Sequence, residues 1–322
     1  MLIHRIKINL IRYLITYLIT YFLSLLLIVL PSPLSAQERQ HTDIINIGSR
    51  LELFVDSFLI DKMINTCLLL HEPVDEETVL YFDKPWEGAF CAYVTVIKDG
   101  NKYRLYYRAP HIYISVAARF MPHKQVLTEE QAKQLHVNPK YFKDCSDAVF
   151  FTSRGGNLYN RTFMEGFIRP GIGLQNWVSR SNYPALNAVQ TSPTEISIYL
   201  NEDYAQPTAH LHRYSLRVDG FASIRAPFDG GELITKPFFF PGDTLTINFS
   251  TSAAGYIKVE IQDMNGIPVE GFALDDAREI IGNEIEKTVT WKNDPDPGKL
   301  AGKVIRLHFV MKDADIYSLR FK

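Results

Sequence analysis

Four carboxylates sit where chemistry on a sugar acetal would need them. Asp56 follows Leu53-Phe54-Val55, and Glu87 lies between Trp86 and Gly88. Asp147 leads into the apolar run at Ala148, and Glu165 sits among Phe163, Met164 and Phe167. Glycosidic cleavage usually takes two carboxyl groups about 5 to 9.5 Å apart across the bond. One of them must be held protonated by apolar surroundings. An aromatic neighbour such as Trp86 raises a carboxyl pKa and also stacks on a sugar ring. The plain alternative for each acid is a turn or salt-bridge residue at a strand end. Arg169 and Arg180 offer forked donors for sugar hydroxyls or a carboxylate, or else pair with a nearby acid. Trp177 and Tyr183 offer ring faces for a sugar, or else pack into the core.

Other chemistries find less. His71, His111, His123, His136, His210, His212 and His308 are scattered along the chain. His210 and His212 share one strand face, but such a pair needs a carboxylate to become a ligand set, so no metal is expected. Asp294-Pro295-Asp296-Pro297-Gly298 reads as a rigid turn, since its spacing fits no calcium loop. There is no glycine-rich phosphate loop, so no cofactor is expected, and no Gly-x-Ser-x-Gly elbow occurs.

The elements that would position these residues read as strands. Ala92–Ile97 and Tyr103–Tyr107 flank an Asp-Gly turn, the strongest short hairpin cue. Ala148–Thr152 runs into a turn at Ser153-Arg154-Gly155-Gly156. His210–Val218 turns at Asp219-Gly220 and resumes at Phe221, and Ile196–Leu200 is a further strand. One helix is predicted, from a capping box at Thr128 and Gln131 to about Val137, as a loop insertion stopped by Pro139. Beyond Asp229-Gly230-Gly231 the alternation sharpens. Leu245, Ile247 and Phe249 fall on one face, as do Ile257, Val259 and Ile261, and then Ile305, Leu307, Phe309 and Met311. Asn265-Gly266 supplies a hairpin turn. Repeated half-buried alternation of this kind predicts a β-sandwich over residues 228–322.

The first 36 residues carry Arg5, Lys7 and Arg12, then an apolar run from Tyr13 to Leu30, then Pro31, Pro33 and Leu34-Ser35-Ala36. That is the order of a secretory signal peptide. If uncleaved, the same run is nearly long enough to anchor the chain in a bilayer. Residues 37–50 read as a polar leader. Cleavage after Ala36 shifts the formal net charge from −2 to −5. A mildly acidic exported chain lacks the basic face that nucleic acid requires, and a membrane contact is expected only through an uncleaved N-terminus. Cys67, Cys91 and Cys145 cannot all pair within one chain, and buried free thiols are the expectation.

Several segments resemble exported bacterial proteins related to the family 32 and family 43 glycoside hydrolases. They include Leu51-Glu52-Leu53-Phe54-Val55-Asp56, Asp83-Lys84-Pro85-Trp86-Glu87-Gly88 and Lys98–Arg108. Ser146–Arg154, Glu165–Gly171, Asn182-Tyr183-Pro184-Ala185 and Lys312–Phe321 continue the likeness, which covers most of the chain from Leu51 onward. The resemblance implies an all-β chain: a five-bladed propeller-like domain over 51–227, then the β-sandwich. It implies carbohydrate as the partner, with Glu87, Glu165, Asp56 and Asp147 as candidate acids. The family 32 string Trp-Met-Asn-Asp-Pro-Asn-Gly is absent. Tyr81–Pro227 holds blades for about three repeats of roughly 45 residues, below the usual four to eight. Arg108 runs through Ala109-Pro110 straight into His111, where the resembling proteins carry a long stretch, so central blades are missing. The expected function is that of an exported glycoside hydrolase-like protein that acts on or binds carbohydrate, inactive if the missing blades carried its site. The alternative is a non-catalytic carbohydrate-binding or cell-surface β protein.

Overall fold

A computed structural model describes residues 44–81, 97–99, 102–104, 112–155 and 158–322. The signal segment, Glu87, Cys91, His111 and the Arg108–Ala109 junction lie outside the described residues. The strands in chain order are β1 (Ile45–Asn46), β2 (Glu52–Leu53), β3 (Ile60–Ile64), β4 (Cys67–Leu70), β5 (Val74–Tyr81), β6 (Ile97–Asp99), β7 (Lys102–Arg104), β8 (Tyr113–Met121) and β9 (Cys145–Ser153). They continue as β10 (Tyr183–Pro184), β11 (Val189–Gln190), β12 (Glu195–Glu202), β13 (His210–Arg217) and β14 (Ala222–Ala226). The last are β15 (Gly231–Thr235), β16 (Phe238–Phe239), β17 (Leu245–Asp263), β18 (Asn283–Thr288) and β19 (Ile305–Phe321). One α-helix, α1 (Glu129–Gln134), lies in the connection from β8 to β9. The described residues are thus predominantly β, in several sheets of which none is closed.

The largest sheet has ten strands and is built on β17 and β19, which run antiparallel from Leu245↔Phe321 to Asp263↔Ile305. The alternating residues predicted for this region are its core. Leu245, Ile247, Phe249, Ile257, Val259, Ile261, Ile305, Leu307, Phe309 and Met311 are each at most 1% exposed. Burying each is worth about 1.5–3 kcal/mol. Two of the expected strands are one: β17 continues through a register shift between Thr251 and Tyr256. Gly255 lies in that bulge, where an added Cβ would stand 2.4 Å from the Asp313 carbonyl oxygen; only glycine allows that approach. The sheet also recruits the N-terminal strands. β1 pairs with β16, β2 with β19, β3 with β15 and β4 with β14. Phe54, Leu59 and Ile60 enter the same core as Phe238 and Phe321. The residues on either side of 227/228 therefore contribute strands to one sheet.

A five-stranded sheet runs β10-β12-β13-β5, with β11 also on β12. Its inner face carries Ile196, Ile198, Leu200, Tyr214 and Leu216, which pack with Phe150, Phe167 and Phe221 in a second core. The hairpin expected across Asp219-Gly220 is not formed. β13 belongs to this sheet, and β14 belongs to the ten-stranded one, paired with β19 and β4. Asp219 holds the corner at φ 61°. Its Oδ2 accepts from Ser318 Oγ at 2.9 Å, and Asn248 Nδ2 donates to the Val218 carbonyl at 2.8 Å. The turn chemistry is real, but the chain leaves one sheet there and enters another.

β8 and β9 pair from Tyr113↔Ser153 to Met121↔Cys145, and β6 pairs with β7 from Ile97↔Arg104 to Asp99↔Lys102. The helix starts where predicted: Thr128 and Gln131 form the reciprocal capping box at 3.2 and 2.9 Å. It ends at Gln134, short of Val137, because His136 takes a left-handed conformation at φ 53°. Asp296 caps a short 3-10 turn over Pro297–Leu300, as a rigid turn should. Cys145 is a buried free thiol, whereas Cys67 is exposed, contrary to expectation, at the start of β4.

Candidate functional site

Asp56 is buried and saturated. Arg154 donates to it through Nε and Nη2 at 2.9 and 3.0 Å, and the Phe58 backbone N–H donates at 3.0 Å. Arg154 Nη1 also reaches Glu52 at 3.1 Å, and its guanidinium stacks on the Phe58 ring at 3.7 Å. A fork shared by two buried acids is a structural clamp. It lines a cleft of about 540 Å³ with Phe58, Tyr159, Arg161 and Lys236, but the acid itself has no freedom to act on a ligand. Asp147 is held in the same way. It stands directly opposite Arg119 across β8 and β9, accepts Arg119 Nε at 2.8 Å and also pairs with Nη2.

Glu165 and Arg169 lie on the segment that follows. Arg119 anchors it by donating Nη1 to the Met164 carbonyl at 2.7 Å. Gly166 packs so close that an added Cβ would stand 2.9 Å from Asp147 Oδ2 and 3.2 Å from the Arg169 Cγ. Asp147, Arg169 and the Glu165 backbone are thus brought together, while the Glu165 side chain is exposed. Arg169 pairs with Glu72 at 3.2 Å, both well exposed.

Arg180, Trp177 and Tyr183 gather elsewhere. Arg180 sits at φ 63° with its guanidinium 5.1 Å from the Tyr141 ring centroid and 5.8 Å from that of Tyr204. A hydrogen bond with Tyr204 raises its pKa against a small burial cost, and Tyr141 and Tyr183 add to the effect. Trp177 is half-buried against Leu127, Val137, Phe142 and Val178. Tyr183 is half-buried on β10. An adjoining cavity of about 840 Å³ is lined by Val137, Phe142, Ala205 and Pro207. Phe142 and Ala205 directly follow the two tyrosines, Tyr141 and Tyr204, that pack edge to face beside the guanidinium.

The most concentrated cluster was only half legible in sequence. His210 and His212 share the inner face of β13 with Tyr214 and Leu216, at the end where that face turns polar. The missing carboxylate is Glu202 on β12, directly opposite His210. Glu202 Oε2 lies 3.3 Å from His210 Nε2 and 4.0 Å from His212 Nδ1. Glu202 Oε1 accepts from the Tyr214 hydroxyl at 2.5 Å. The outer nitrogens are engaged as well: His210 Nδ1 donates to the Thr208 carbonyl at 2.8 Å, and His212 Nε2 donates to Asp75 Oδ1 at 2.5 Å. Two register shifts between β13 and β5 set Asp75 and Thr78 beside His212, the usual effect of bulges on side-chain aim. Burial opposes charge on Glu202, but His210 and the Tyr214 hydroxyl outweigh it, so its pKa falls below the ordinary value. Burial also opposes charge on His210, yet Glu202, the Thr208 carbonyl and Asp203 lift its pKa. A signal was present in the sequence: Glu202 is in phase with Ile196, Ile198 and Leu200, so a charged residue continues a core-facing series.

The chain matches no family model, no curated protein and no solved structure.

Proposed function

We propose that the protein is exported and binds carbohydrate without cleaving it, on an incomplete propeller-like domain followed by a sandwich. The observation that carries this reading is the Arg180 group. A guanidinium beside Tyr141 and Tyr204 at 5.1 and 5.8 Å, whose rings meet edge to face at 5.5 Å, with Tyr183 and Trp177 nearby, offers N–H donors for sugar hydroxyls beside aromatic surface. Sugars are bound by that combination of apolar faces and placed donors. The cleavage reading draws less support. Asp56 and Asp147 are committed to Arg154 and Arg119, and the Glu165 side chain is exposed.

The test is calorimetric titration of the exported product with fructo-, arabino- and xylo-oligosaccharides, alongside a reducing-sugar assay. Binding of at least one class is expected, weakened about tenfold or more by Arg180→Ala with the melting temperature kept. No hydrolysis above background is expected. Turnover that is lost on Glu165→Gln would restore the enzymatic reading, and binding indifferent to Arg180→Ala would remove the site.

A further inference from the structure

We propose that Glu202, His210 and His212 bind a divalent transition-metal ion of the zinc class. The argument is one of lone pairs. The Thr208 carbonyl can only accept, so the His210 proton sits on Nδ1. With a metal ion in place of a second proton, His210 would present its Nε2 lone pair beside Glu202 Oε2, 3.3 Å away. Asp75 likewise draws the His212 proton to Nε2, which leaves the Nδ1 lone pair facing the same Glu202 oxygen. Tyr214 occupies the other carboxylate oxygen. Three ligand atoms therefore converge, and a cation placed among them would satisfy all three at once. Among the described residues the Thr78 hydroxyl also touches His212 Nδ1, at 3.3 Å, a long contact that a metal would displace.

The dimensions suit a small ion. The three ligand atoms lie within 4.8 Å of one another. A tetrahedral ion with bonds of about 2.0–2.1 Å holds its ligand atoms roughly 3.3–3.4 Å apart. The His210–Glu202 edge is already 3.3 Å and the His212–Glu202 edge needs to close from 4.0 Å. Two imidazoles with one carboxylate select zinc-class ions over calcium or magnesium, which take oxygen ligands. Both histidines also have the outer partners that metal-bound imidazoles characteristically have, a carboxylate on one and a backbone carbonyl on the other. With three protein ligands a fourth position stays open to water or to an oxygen of a bound molecule. His210 and His212 keep 12% and 13% of their side-chain surface exposed, so the ion has a route in. The ion would tie β12 to β13, and through Asp75 to β5.

The test is calorimetric titration of the metal-stripped full chain with zinc chloride, and with calcium chloride beside it. One zinc per chain at micromolar affinity or tighter is expected, with calcium at least a hundredfold weaker. His210→Gln and His212→Gln should each weaken zinc about a hundredfold, Asp75→Asn about 10- to 100-fold, and His308→Gln not at all. Cobalt(II) added to the wild-type chain should give the strong visible bands of a four-coordinate ion, a readout that does not depend on any variant folding. Weak six-coordinate bands would overturn the proposal. So would zinc affinity unchanged in His210→Gln and His212→Gln, or calcium bound as tightly as zinc. In those cases His210 is an imidazolium paired with Glu202.

Discussion

Two histidine–glutamate clusters in this molecule share one layout and differ in where their lone pairs point. In the five-stranded sheet Glu202 stands opposite His210 across β12 and β13; in the ten-stranded sheet Glu260 stands opposite His308 across β17 and β19. Both glutamates are buried. His308 spends both ring nitrogens on carboxylates, Nε2 on Glu232 at 2.9 Å and Nδ1 on Glu260 at 3.2 Å. Glu260 is spent too, accepting from Gln262 at 2.7 Å and from the Leu274 N–H at 3.0 Å. Nothing is left over for a ligand. Around Glu202 the outer atoms are equally well held, but two imidazole nitrogens and one oxygen lie within 4.8 Å of one another, with the neutral Thr78 hydroxyl at 3.3 Å from one of them. Composition does not distinguish a structural cluster from a ligand set; the convergence of the ligand atoms does.

That contrast makes mutations fall in a definite order. The largest loss belongs to the Asp56 clamp, which is closed in the manner of the His308 cluster. Arg154→Ala takes both guanidinium bonds from buried Asp56, 4% exposed, and one from Glu52, which keeps Arg50 at 3.5 Å, and should cost about 3 kcal/mol in urea unfolding. A loss under about 1 kcal/mol would mean that Asp56 is freer than its hydrogen bonds imply. His308→Ala comes next. Glu260 keeps two donors, so a loss of about 2 kcal/mol is expected, with zinc affinity untouched. The smallest effect belongs to the cluster read as a ligand site. In the metal-free chain His212→Ala removes a pair whose partner Asp75 is largely exposed, and should cost no more than about 1 kcal/mol. An equal loss from His212→Ala and His308→Ala would erase the distinction between them.

Sequence carried much of this and stopped at definite places. The period-two series at Leu245–Phe249, Ile257–Ile261 and Ile305–Met311 identified the core, because every side chain in them faces one way and is buried. The capping box at Thr128 was readable because both of its hydrogen bonds close within four residues. Asp219-Gly220 was readable as a turn but not as a passage between sheets, since its anchors, Ser318 and Asn248, are 99 and 29 residues away. The roles of Asp56 and Asp147 were hidden for the same reason. Each acid's partner, Arg154 or Arg119, is fixed by a fold contact 98 or 28 residues distant. The His210–His212 pair was visible on one strand, and its carboxylate became visible only once β12 and β13 were set in register.

The most direct test is anomalous diffraction at the zinc edge from crystals of the full chain grown or soaked with zinc. The account predicts a single peak about 2.0–2.2 Å from His210 Nε2, His212 Nδ1 and Glu202 Oε2, with none beside His308. The absence of density between those three atoms, or a peak at His308 instead, would contradict it.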